Sequence, residues 1–295
     1  MKKIKIGIIG YGKLGSVLAE AVSKKYKLLW VVEKDITKTN LIKSTLKNNI
    51  NFYSSVPIFI PIPDIIIISV NDSEIKSVAN EIAISWHYKL KDIWVIHCSG
   101  VLPVSVLSSC EKRGAKTACI HPFQTFYHPD ASVLKNIGWT IETKHNPELL
   151  KTLITQLGGK PMSIPIESKN IKVLHHLSAV FASNFLSTVL AGAGSLEELS
   201  GMNWEDFLPL IIETTRNNNF KSLSKSEKIP LTGPIARADV DTIKLHLKSL
   251  RNHTNLLNIY IYLSLATLET AKQYEIINKQ KFAEIKEILL SSLID

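Results

Sequence analysis

The stretch Ile4 to Gly15, IKIGIIGYGKLG, limits what this chain can fold into more than any other. Ile4, Ile6, Ile8 and Ile9 form an apolar run that reads as a buried parallel strand. It ends in Gly10-Tyr11-Gly12-Lys13-Leu14-Gly15, a G-x-G-x-x-G, and Leu14, Val17, Leu18, Ala21 and Val22 follow at helical spacing. Strand, glycine turn and helix in that order are the context in which this motif cradles a dinucleotide. Gly10 permits the tight turn, Gly12 lets backbone approach a pyrophosphate, and Gly15 lets helix pack closely on strand. The backbone of Tyr11, Lys13 and Leu14 completes the open helix start that holds the diphosphate. An ordinary glycine-rich turn between strand and helix is the plainer reading.

Further along, strand and helix signals alternate. Lys27 to Glu33 reads as a second strand, Ile36 to Lys47 as a helix, and Ile50 to Tyr53 as a short strand. Asp64 to Val70 is a buried strand ending at Asn71, with a helix over Ile75 to Ala83. Asp92 to His97 is a strand ending in Cys98-Ser99-Gly100, and Val101 to Arg113 reads as helical around Pro103. Thr117 to Ile120 is a strand ending in His121-Pro122, and Trp139 to Glu142 and Met162 to Ile164 flank a helix from Pro147 to Leu157. This pattern predicts an α/β fold with a doubly wound parallel sheet, whose ligands lie outside the carboxyl ends of the strands. Val70, Asn71, Ser99 and His121 all fall at such ends.

Glu33 stands 18 residues after Gly15, where the adenosine ribose is met in such folds. Its carboxylate favours the 2′-hydroxyl of NAD, whereas Lys34 suits the 2′-phosphate of NADP; both also fit a solvated strand end. Past about Ser168 only helical signals remain: Lys169 to Leu199, Trp204 to Phe220, Val240 to Leu250, His253 to Gln273 and Lys281 to Leu293. The expected organisation is a dinucleotide-binding domain over 1–165 and an all-helical domain over 166–295.

At 295 residues, 45% hydrophobic and 21% charged, the chain has the composition of a soluble globular protein. Its net charge of +9 comes from scattered lysines, with no basic run interleaved with aromatics, so no nucleic-acid partner is expected. Cys98, Cys110 and Cys119 lack metal-ligand spacing and read as free thiols of a reducing compartment; no metal site is expected. Val56 to Val70, taken as the longest apolar run, is broken by Pro57, Pro61, Pro63 and Asp64, and no signal peptide is visible. A cytoplasmic protein without a membrane role is expected.

Three constellations could carry chemistry. At about 100° per residue, His176, Ser183, Asn184 and Ser187 form one polar stripe on an apolar helix, without a Lys on that face. His176 is the natural general acid there, because histidine titrates nearest neutral pH; a water-facing stripe is the alternative. His121 could polarise a carbonyl or bind cofactor, or simply hold a turn carbonyl. Ser99 could orient a substrate oxygen or cap the helix expected from Val101. Arg237, in Gly233 to Asp239, could clamp a substrate carboxylate with two parallel N–H bonds, and Asp239 could serve the site or cap the next helix.

The segments GIIGYGKLG, VIHCSG, IHPFQTF, HHLSAVFASN and TGPIARAD, in this order over nearly the whole chain, resemble the Rossmann-like proteins with a DUF2520 C-terminal domain. That family is similar to the 6-phosphogluconate-dehydrogenase-like superfamily. The resemblance implies NADP (NAD being possible) in the first domain and a helical second domain that builds a homodimer. It implies site roles for Gly10, Gly12, Gly15, Ser99, Gly100, His121, His176, Asn184, Arg237 and Asp239. Ala238 stands where the family usually has Gly, and His175 where it has Tyr. The expected activity is NADPH-dependent reduction of a small 2-oxo acid, ketopantoate first, which would place it in pantothenate biosynthesis. A prephenate- or arogenate-dehydrogenase-like enzyme, an imine-reductase-like enzyme and a non-catalytic dinucleotide-binding protein are the alternatives.

Overall fold

The computed structural model describes residues 3–38, 44, 46, 50–58, 61–128, 130–166, 170–225 and 229–293. The backbone divides into two compact units, Met1–Ser183 and Asn184–Asp295. The first is built on one sheet of eight strands: β1 (Lys5–Ile9), β2 (Lys27–Val32), β3 (Asn51–Tyr53), β4 (Ile65–Ile68), β5 (Trp94–His97), β6 (Lys116–Pro122), β7 (Gly138–Thr143) and β8 (Lys160–Ser163). Their order is β3-β2-β1-β4-β5-β6-β7-β8. β4 is four isoleucines, all fully buried, because both faces of a parallel sheet are covered and no position needs to be polar. On one face α1 (Lys13–Lys25) packs Val17, Leu18 and Val22 against Ile6, Ile8 and Ile65. On the other, α2 (Asp72–Trp86) packs Ile75, Val78 and Ile82 against Ile66, Ile68 and Trp30. The strand order reverses between β1 and β4, so a crevice opens at their carboxyl ends.

The structure departs from the sequence reading in four places. β7 runs antiparallel to β6, because the described residues of 123–137 carry a single 3₁₀ turn, Ala131–Leu134, and no crossover helix to bring the chain back parallel. Val101 to Arg113 is a 3₁₀ turn, Val104–Leu107, followed by one helical turn, Ser108–Glu111, since Pro103 delays the start. Of the helix expected over Ile36 to Lys47, Ile36–Lys38 is a 3₁₀ turn, and 39–43, 45 and 47–49 lie outside the described residues, as does Lys169. Finally, the strands end at Ser163, near the change of character at 165, but the compact units divide at Ser183 and Asn184. After α3 (Glu148–Gln156) and β8, helix α4 (Ile171–Ala179) belongs to the first unit and buries Lys172.

A π-helical turn, Val180–Phe185, leads into α5 (Leu186–Ser200). Hydrogen bonds that skip five residues instead of four rotate everything beyond them, so the single face expected for His176 and Asn184 does not follow from a regular 3.6 period. The second unit continues with α6 (Trp204–Lys225), α7 (Val240–Leu250), α8 (Thr254–Gln273) and α9 (Lys279–Leu290). Its core joins α7, α8 and α9 through Ile243, Leu247, Ile261, Leu268, Ile285 and Leu289. α5 buries no residue, and no residue of α6 whose burial is described is buried. The helical run Ile171–Ser200 is long and apolar enough to cross a membrane by length and composition, and none of its most apolar window is buried.

Ala238 has a φ of 55°, in the left-handed region, immediately before the cap of α7. A non-glycine residue there costs roughly 1–2 kcal/mol, and glycine regains part of that against its freer unfolded chain. Ala238→Gly should therefore raise unfolding stability by roughly 0.5–1 kcal/mol in denaturant titration; a loss of stability would contradict this backbone assignment.

Candidate functional site

The β1–α1 turn is where backbone meets backbone. Gly10 has a φ of 95°, and a Cβ there would lie 2.9 Å from the Ser69 carbonyl group. A Cβ at Gly15 would lie 2.1 Å from the Gly10 oxygen. Ser69 locks the turn by donating from Oγ to the Gly10 carbonyl at 3.0 Å. Gly12 differs: its φ is −75°, and a Cβ there would meet nothing within 4 Å. The fold requires Gly10 and Gly15, whereas Gly12 leaves an open space at the N-terminus of α1. Gly12 is also the N-cap and makes no side-chain cap bond, so the helix's first amides and positive dipole end suit an anion. A diphosphate fits this cradle.

Beside the turn lies a cavity of about 310 Å³, near the lower end of ligand-site volumes. Gly10, Gly12, Glu33, Lys34, Val70 and Asn71 line it. Lys38, Ser54 and Ser55 line it too and were not singled out from the sequence. The signal for the serines was their place just after β3, at a carboxyl end. Glu33 is committed to the protein: Oε2 accepts from the Tyr11 amide at 2.8 Å and Oε1 from the Asp35 amide at 3.0 Å. That is a correction for two residues. The Tyr11 amide donates to Glu33, and the Glu33 carboxylate is already satisfied by backbone. Lys34 reaches Glu74 at 3.1 Å and Lys38 lies 3.8 Å from Glu33, both on the exposed rim, where such pairs hold weakly.

A second cluster forms where the loop after β5, the end of β6 and α4 meet. A Cβ at Gly100 would lie 2.5 Å from His176 Cδ2 and 2.9 Å from His121 Nε2, so this glycine lets both rings close on the loop. The His121 and His176 ring centroids are 6.0 Å apart, and His175 stacks on Phe123 at 4.2 Å. His121 Nδ1 lies 3.1 Å from the Cys98 carbonyl oxygen. A carbonyl only accepts, so Nδ1 carries the proton and neutral His121 presents Nε2 as an acceptor. Burial, with the nearby His176 and Lys172, pushes its pKa down to about 4, against the bond to Cys98. His121 therefore cannot polarise a carbonyl by donating from Nε2; it can take a proton.

Ser99 has no free hydroxyl. Its Oγ donates to Asp72 Oδ2 at 2.8 Å and accepts from the amides of Val101 and Leu102 at 3.1 and 2.9 Å. No helix starts at Val101 for Ser99 to cap, since the first helical turn begins at Val104 after Pro103. Ser99 instead holds two loop amides, and the role of orienting a substrate oxygen does not hold, because its one proton is taken by Asp72. Asp72, unremarked in the sequence, ties the start of α2 to this loop.

Beneath the histidines lies a buried ion pair, Lys172 Nζ to Glu142 Oε2 at 3.2 Å. Lys172 stands four residues before His176, on the same helical face. This corrects the expectation of a face without lysine: the face extends one turn back from His176.

Residues 1–122 match the Rossmann-like domain, and residues 137–267 match DUF2520, a domain of unknown function. The chain's fold matches a provisionally named NADP oxidoreductase from Bacteroides fragilis at TM-score 0.74 and 24% identity, over 90% of this chain and 98% of that one. A protein from Thermotoga maritima matches at TM-score 0.56 and 21% identity, over 98% of each chain. A reductive aminase from Aspergillus terreus, solved with NADPH and ethyl-5-oxohexanoate, matches at TM-score 0.60 and 13% identity, over 99% of this chain and 94% of that one. No protein of curated function matches the sequence.

The DUF2520 segment also carries Asn184, Arg237 and Asp239, all in the second unit. Asp239 is the N-cap of α7, accepting from the Thr242 amide at 3.1 Å and its hydroxyl at 2.8 Å, and these bonds hold its carboxyl below the usual range. Capping accounts for Asp239 without a substrate. Arg237 is exposed, and its amide donates to the Gly233 carbonyl at 3.1 Å.

One buried and one half-buried histidine make the first unit sensitive to acid. His97, fully buried, is pushed down to about 3 by burial and the Lys172 charge. Both His97 and His121 are neutral in the fold but protonate near 6.5 once unfolded. Their contribution is intact above about pH 6.5 and is lost as pH falls toward their folded values, because only the unfolded chain gains protons in that window. The melting temperature should fall as pH drops from about 7 to about 5, with a shallower slope in His121→Gln. A flat calorimetric profile would refute the neutral assignment.

Proposed function

We propose that the protein is an NADPH-dependent reductase acting on a C=O or C=N bond of a small carboxylate-bearing substrate. The observation that carries this reading is an open glycine cradle after β1 together with His121, at the end of β6 of the same sheet, paired with His176 of α4. The likeness in fold to an NADP oxidoreductase and a reductive aminase supports it. The N-terminus of α1 and Gly12 would hold the diphosphate. Lys34 and Lys38, with the Ser54 and Ser55 hydroxyls, would favour a 2′-phosphate, since Glu33 is already bonded to backbone amides. The bound nicotinamide would supply the hydride. His176 would deliver the proton to the developing oxygen or nitrogen anion, and His121 Nε2 would accept from its neighbours and orient them. Among 2-oxo acids we assign ketopantoate as the first substrate to test; an imine is the second reading, favoured by the reductive aminase likeness.

The assay is NADPH and NADH oxidation with ketopantoate and with a panel of imines. NADPH turnover is expected, with His176→Ala lowering kcat roughly 10²–10⁴-fold. Thermal-shift titration separates binding from turnover, since a ligand of the native state raises its melting temperature. Gly12→Ala should melt like wild type without NADPH but lose the NADPH-dependent rise. Binding without turnover would favour the non-catalytic reading, and neither would end the proposal.

We further propose that a second copy of the chain covers α5 and α6. Phe185 at the end of the π-helical turn, and Leu186, Val189, Leu196, Phe207, Leu210 and Ile211 on the two neighbouring helices, are exposed, a grouping of large apolar side chains typical of an association surface. The small residues Ala191, Gly192, Gly194 and Ser195 would allow close helix approach. Light scattering after gel filtration should give the mass of a dimer. A monomer, or a protein that leaves the membrane only with detergent, would count against it.

A further inference from the structure

We infer that Lys172, through its buried pair with Glu142, is a positioning residue: it holds α4 on the sheet edge so that His176 lies beside His121 over Gly100. The inference rests on the reading of His176 as proton donor. α4 is amphipathic in the wrong sense for a packed helix. Ile171, Val173, Leu174 and Leu177 are exposed, and Lys172 is its one buried residue. Among the described residues no aliphatic side chain of this helix is buried on the first unit; besides the His175–Phe123 stack, the ammonium group holds it. Its three protons have three acceptors: Glu142 Oε2 at 3.2 Å, Cys119 Sγ at 2.9 Å and the Leu102 carbonyl. These partners come from β7, β6 and the loop after Gly100, so one side chain ties α4 to each neighbour of the histidine pair. Glu142 is itself held, because Oε1 accepts from the Val104 amide at 3.2 Å. The side chains of Lys172 and Glu142 are 9% and 8% exposed, so water screens the pair little. His176 stands one turn on, on the same face.

The cation also acts at a distance. Lys172 contributes to holding down the pKa of His121, together with burial, His176 and His175, and it acts likewise on His97. The groups facing it are Glu142 and Cys119, with Cys98 also within its reach. A role confined to packing would leave His121's titration unchanged, whereas removal of this charge moves it in a defined direction.

The test uses the full chain with isotope-labelled histidine, followed by NMR across pH, in wild type, Lys172→Met, Lys172→Arg and Glu142→Gln. In Lys172→Met the ring contact between His121 and His176 should be lost and the His121 midpoint should rise. Lys172→Arg should restore both toward wild type. Glu142→Gln should weaken the ring contact without that rise, because the cation stays. With a substrate in hand, Lys172→Met should lower kcat at least tenfold and leave the NADPH KM near wild type. A wild-type ring contact and midpoint in Lys172→Met overturn the inference. Should that variant fail to fold, an unaltered ring contact in Glu142→Gln overturns it instead. Absence of turnover in wild type would end the reductase reading while the NMR result still decides the positioning role.

Discussion

The first unit depends on how closely two pieces of backbone approach in the β1–α1 turn. A methyl group at Gly15 would sit 2.1 Å from the Gly10 oxygen, and Gly10 itself turns through a φ that side chains disfavour. Because no side chain intervenes there, α1 starts immediately at the end of β1. Its buried face then falls on Ile6 and Ile8, and its free amides point at the crevice where the strand order reverses. The same turn positions Glu33, whose carboxylate takes the Tyr11 amide and so joins the ends of β1 and β2. The cavity beside it is lined by two lysines, several serines and three carboxylates, of which Glu33 and Glu81 accept backbone amides and Glu74 pairs with Lys34.

A second constraint acts at the other side of the switch point. The histidine cluster rests on polar contacts: Ser99 on Asp72, His121 on the Cys98 carbonyl, Lys172 on Glu142. Each is buried or half-buried, and each is satisfied within the first unit. Removal of one partner would leave its mate uncompensated, which gives such clusters a defined geometry that apolar contacts alone do not impose. The exposed apolar side of α4 follows from this arrangement, since the helix turns its polar residues inward.

Much of the fold could be read in one dimension. Uninterrupted isoleucine runs, the glycine motif and the helical periods placed β1, α1, β4 and β5 and the helices of the second unit to within a few residues, because burial and period act locally. The direction of β7 could not be read that way. It follows from a connection too poor in helix to make a crossover, and 123–137 resembles any loop. The short helical pieces near Pro103 were overestimated for a similar reason: a periodic apolar pattern does not reveal where proline delays a helix. In the site, the cavity-lining glycines and His121 and His176 were legible from their places at strand ends or on a polar stripe.

What the sequence by itself determined is the dinucleotide-type turn, the strand-then-helix layout and the residue types available for proton transfer, since these depend on neighbours a few positions apart. Only the tertiary structure decided which of them are already engaged. Ser99 is tied to Asp72 and two loop amides, Asp239 is a cap, and Glu33 belongs to the Tyr11 and Asp35 amides. His121 has its proton fixed on Nδ1, and Lys172 finds Glu142 from 30 residues away in the chain. Each hydrogen-bonding atom has few partners to give, and which partner takes it is settled by distances that no linear spacing encodes.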